Sequence, residues 1–167
     1  MKEEDSQLFQ NSKDEYGEDY ASHLLEQYKL YVESAENISD RRQNANNFFI
    51  TINTALITIL GVSLQLEILA GLISLRVAIG IAGIIICVIF WFLLRSYKQL
   101  NSGKFKVIHE IEKHLPMALY AYEWKLLGEG NDKKKYYPFS HVEIFIPWVF
   151  ALFYLIIIVI QLCPSGF

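Results

Sequence analysis

From Tyr20 to Leu60 the chain runs without a proline or a glycine, yet its solvent changes halfway along. The first half, HLLEQYKLYVESAENISDRR, is charged and amphipathic, and the second, FFITINTALITIL, carries no charge. Leu24, Tyr28, Tyr31, Ala35 and Ile38 follow the 4-3-4-3 spacing of an apolar helical stripe. The spacing continues through Ala45, Phe49, Ile52, Leu56 and Ile59, with Arg42 as its one break. Opposite lies a polar stripe: Glu33, Glu36, Asp40, Gln43, Asn47, Thr51, Thr54, Thr58, Gly61 and Gln65. At about 100° per residue these share one face. The pattern predicts a helical rod of about 40 residues, roughly 60 Å long, that stands in the cytoplasm and enters a bilayer. Arg41 and Arg42 mark the membrane-interface joint.

Two further apolar runs follow. Residues 77–94 and 144–162 carry no charge, and a bilayer core about 30 Å thick takes about 20 helical residues. The expected fold is therefore an all-α integral membrane protein with three transmembrane helices. Its segments are an acidic flexible tail (1–19), a cytoplasmic amphipathic helix (20–44), span one (45–66), span two (77–94), a cytoplasmic helical insertion (95–141) and span three (142–162). The acidic start, MKEED, does not read as a signal peptide.

Inside the insertion, Leu100, Lys104, Ile108, Ile111 and Leu115 fit one helix face. Met117, Tyr120, Trp124 and Leu127 make a second stripe, ended by Gly128, so the insertion folds back as a helical hairpin. Ser140 and Glu143 form a capping box for span three, and Pro147 is expected to kink it. In span two, Ala78, Gly80, Ala82 and Gly83 offer small surfaces for close helix approach. Lys and Arg set the orientation. The insertion has nine, the flank of span one has Lys29, Arg41 and Arg42, and the turn 67–76 has Arg76 alone. The N-terminus is thus expected in the cytoplasm and the C-terminus in the periplasm.

Little here resembles catalysis. His109 and His114 in HEIEKH are five apart, about 140° around a helix, where zinc proteases need two His on one face. That segment reads as a solvated helix surface. Cys87 and Cys163 lie at different depths, and no phosphate loop or nucleophile elbow appears. No enzyme activity, metal or cofactor is expected. Net charge is −3, which offers nothing to nucleic acid.

The polar stripe is the most informative feature. Asn47, Thr51, Thr54, Thr58 and Gln65 on one face argue against lipid contact there. The face either packs on another helix or lines a wet channel, and Asn53, off the stripe, is free to bond a neighbouring span. Glu33, Glu36 and Asp40 would form an acidic vestibule below it. Arg41 and Arg42 either meet lipid phosphates or pair with those acids, on the same helix or a neighbouring copy. Leu24, Tyr28, Tyr31, Ala35 and Ile38 would form an oligomer seam.

The joint RR-x-x-A-N-x-F-F (Arg41, Arg42, Ala45, Asn46, Phe48, Phe49), with HEIEKHLPMALYAYEW and PFSHVEIFIPWVF, resembles the RipA-like family of small octameric bacterial inner-membrane proteins. More loosely, it resembles SLATT-type membrane effectors that accompany nucleotide-signalling defence systems. The likeness spans most of residues 25–155. It implies a homo-oligomer, an octamer by this likeness, in the inner membrane. The function expected is a gated pore or membrane-perturbing effector in antiphage defence. The rival is a non-conducting scaffold that recruits a cytoplasmic protein or signalling partner through the 95–141 helices. Lipid and further copies of the chain are the expected partners in either case.

Overall fold

Two long helices dominate the chain because nothing in their sequences stops them. In the computed structural model, which describes residues 8–65, 73–131, 135–136 and 138–163, α1 is Lys13–Tyr16 and α2 is Tyr20–Gln65. α3 is Ile73–Glu112, α4 Leu119–Leu126, α5 Phe139–Glu143 and α6 Ile146–Leu162. All regular structure among the described residues is helical. The helices α2 and α3 are both long and apolar enough to cross a membrane, and α6 is a shorter apolar helix of 17 residues. The chain divides into two compact units, to which both long helices contribute.

The first unit comprises residues 1–39 and 99–137. Its interior is built where α2 meets the last turns of α3. Ala35, Ile108 and Ile111 are buried, and the Lys104 ammonium lies over the Tyr31 ring at 4.5 Å while donating to Ser34 Oγ at 2.8 Å. Asn101 is half-buried whereas Leu100 is exposed, so the expected face of α3 is turned by one position. Residues 8–19, read as part of a flexible tail, hold local structure instead. Ser12 caps α1, the Phe9 ring lies 4.1 Å from that of His114, and Tyr16 pairs with His23 Nδ1 at 2.9 Å. The acids Glu3, Glu4 and Asp5 lie outside the described residues. After α4 the chain turns at Gly128, whose φ of +82° suits glycine. Lys133 and Lys134 of the following loop lie outside the described residues.

The second unit comprises residues 40–98 and 138–167. Along α3, Arg76, Gly80, Gly83, Cys87, Phe90 and Leu94 are buried at 4-3-4-3-4 spacing. This seam faces α2 and α6: Phe90 stacks on Phe49 at 4.8 Å, and Tyr154 packs with Leu60 and Cys87. Two expectations at the start of α6 are corrected. Pro138 is the N-cap of α5 and Ser140 lies inside that helix, so no capping box forms. Pro147 does not kink a span; it lies in the first turn of α6, where its missing N–H costs nothing. The turn from Glu67 to Leu72 and the tail PSGF fall outside the described residues.

Candidate functional site

Within the second unit, α2 sorts its polar residues onto two faces. On the inner face, Asn53 is fully buried. Its Nδ2 donates to Phe49 O at 2.7 Å, and its Oδ1 accepts from Tyr154 Oη at 3.1 Å and from Cys87 Sγ at 3.3 Å. One amide thus ties α2 to both neighbouring helices, as its place off the stripe allowed. Arg42, the break in the apolar stripe, puts Nε 3.6 Å from the buried Glu143 carboxylate of α5. At the other end Arg76 is buried, donating to Ser63 O and to Gln161 Oε1, the latter at 3.3 Å. Arg42 and Ser63 are separated by about 32 Å of helix, close to the thickness of a bilayer core.

The stripe predicted to face inward, Ala45 through Ile59, is therefore corrected. The packed line runs through Arg42, Asn46, Phe49, Asn53, Leu60 and Ser63, while Ile59 is exposed. In lipid an apolar side chain gains little by turning inward, whereas an Asn or Arg gains partners.

Asn47, Thr51, Thr54, Thr58 and Gln65 occupy the other face, and all five are exposed. Thr51 Oγ1 bonds back to Asn47 O and Thr58 Oγ1 to Thr54 O, each at 2.8 Å. Such bonds satisfy the hydroxyl protons and leave oxygen lone pairs facing out. Glu33, Glu36 and Asp40 of the first unit are exposed as well, as is Arg41. Arg42 is not: it meets Glu143, not those acids.

The residues assigned to an oligomer seam lie elsewhere than expected. Tyr28 donates to Glu112 Oε1 at 3.0 Å, Tyr31 lies under Lys104, and Ala35 is buried. Leu24 and Ile38 are half-buried. This stripe is occupied within the chain by α3, as that helix continues past residue 98 and lies along it. Glu112 was missed, since HEIEKH read as a solvated surface. Its carboxylate is buried and accepts the N–H groups of Tyr120 and Ala121, both at 2.9 Å. It thereby caps α4 in place of a local N-cap, with its negative charge at the positive end of that helix. Burial, then the bond to Glu112, pushes the Tyr28 hydroxyl well above the usual tyrosine range. Glu112 falls on the same face as Ile108 and Ile111, and that placement was the available signal.

No cluster of His, Cys, Asp or Glu among the described residues is arranged to hold a metal. Comparisons with curated proteins and with solved structures return no match. One family model does match, over residues 25–163, which takes in both long helices, α4, α5 and α6. This all-helical chain, with its two long apolar helices, belongs to the octameric membrane protein family (8xMP).

Proposed function

We propose that the chain assembles as an octamer in the bacterial inner membrane and forms a gated pore, with the polar face of α2 turned to the axis. The observation that carries this reading is the division of labour on α2. Asn53 and Arg42 find partners inside the protomer, while Asn47, Thr51, Thr54, Thr58 and Gln65 face out together. A polar face left exposed at bilayer depth calls for water or another subunit. Around an axis it makes stacked polar rings, with Glu33, Glu36 and Asp40 as an acidic mouth. Acidic rings favour cations.

In this reading α2, α3 and α6 are the three spans, with α5 extending the third. The N-terminus and residues 95–141 are cytoplasmic and the C-terminus is periplasmic, in keeping with the lopsided Lys and Arg count. The protein catalyses no reaction, and its setting in antiphage defence follows from the resemblance to SLATT-type effectors. Changing Thr54 and Thr58 together to Leu keeps the helix and dries the face. The double variant is expected to assemble normally and to lose depolarisation of cells on overexpression. Unchanged depolarisation would remove the pore. A second reading, a non-conducting scaffold, is favoured by the exposed apolar side chains of α4; it expects no depolarisation from the unmodified protein.

A further inference from the structure

Two features of the first unit remain unfilled within the protomer. The outer side of α4 is apolar: Met117, Leu119, Tyr122 and Leu126 are exposed by 67, 61, 64 and 59%. Leu119, Tyr122 and Leu126 are spaced 3-4, hence on one helix face. A single exposed leucine is ordinary, but such a cluster marks an interaction surface. The second feature is a half-open groove of about 260 Å³ at the start of α2, lined by Phe9, Tyr16, Tyr20, Leu24 and Ile111 among others and by no residue of α4. Its volume suits one large side chain.

We infer that the α4 stripe of one protomer docks into this groove of a neighbouring copy, a contact that rests on the octamer proposed above. The charges around the two features are complementary. Asp14, Glu15, Glu18 and Asp19 are exposed beside the groove, and exposed Lys125 and Lys135 flank the stripe. The surfaces differ from one another, so the contact is heterologous, the kind that closes a ring of subunits. A lipid surface is a poorer occupant. Glu112 holds the first turn of α4, about 26 Å of helix beyond Arg95.

The test uses full-length protein in membranes, with Cys163→Ser removing the exposed native thiol. Copies carrying Tyr122→Cys under one tag are co-expressed with copies carrying Tyr20→Cys under another, then treated with a short bifunctional thiol reagent. The contact predicts crosslinked dimers bearing both tags and none from either variant alone. Lys125→Glu is expected to lower the mixed yield several-fold, and Lys125→Arg to leave it unchanged. Self-crosslinking of Tyr122→Cys copies would overturn the proposal. So would the absence of mixed product in a protein that native mass spectrometry still counts as eight copies, an outcome that hands the α4 stripe to another partner and spares the octamer. A monomer for the unmodified protein would remove the octamer and this contact together.

Discussion

A Cβ atom placed on Gly83 would lie 2.4 Å from Cζ of Tyr154, inside the tyrosine ring's own volume. The ring is fully buried and its hydroxyl is held by Asn53, so it has nowhere to swing. Gly83→Ala is therefore expected to cost about 2 kcal/mol, within the usual range for overpacking. Thermal unfolding in mild detergent reads this as a lower midpoint. Gly61→Ala, where nothing lies within 4 Å, is the control and should not move it.

Asn53 and Tyr154 should behave as one unit. Tyr154→Phe removes a single bond and is expected to cost about 0.6 kcal/mol, whereas Asn53→Ala empties the whole node and should cost about 1.5 kcal/mol or more. The double variant should cost less than the sum, because the two share the bond. Additive losses would mean that the hydroxyl gains nothing from the amide.

Glu112→Gln leaves the shape of the α4 cap but gives up its charge and one of its accepting oxygens. A loss of about 1–2 kcal/mol is expected, with faster amide exchange at Tyr120 and Ala121. Tyr28 adds a pH dependence. Its hydroxyl is raised above the ordinary value of 10.0, so the folded state keeps the proton that the unfolded state releases. The stabilisation is complete below about pH 10 and is lost as pH rises through the folded value. Unfolding midpoints between pH 8 and 11 should fall more steeply for the unmodified protein than for Tyr28→Phe. A smaller fall should persist from Tyr120, which burial and nearby Glu36 raise in the same direction.

The uninterrupted stretch from Tyr20 onward announced α2, and the small residues Gly80 and Gly83 announced the close approach of α6. What the sequence concealed follows from its two solvents. In water an apolar stripe packs inward, and Tyr28, Tyr31 and Ala35 do so, against α3 of the same chain. For that reason Tyr31→Asp and Ile38→Asp should unfold the first unit, not simply separate copies. In lipid the rule weakens. Asn46 and Asn53 are buried while Ile59 is exposed, so the hydrophobic spacing indicated the wrong line. Glu112 was hidden for a different reason: it caps a helix that starts seven residues later, and no local motif encodes that.

The most direct measurement is of conductance. Purified protein carrying Cys163→Ser and Thr54→Cys, reconstituted in planar bilayers, is expected to conduct cations in preference to anions. A membrane-impermeant, positively charged thiol reagent should then reduce that conductance, as it attaches charge and bulk inside the lumen. Protein with Cys163→Ser alone should conduct and resist the reagent, since Cys87 is buried. Absence of conductance from assembled octamers, or conductance indifferent to modification at position 54, would contradict a pore lined by the polar face of α2.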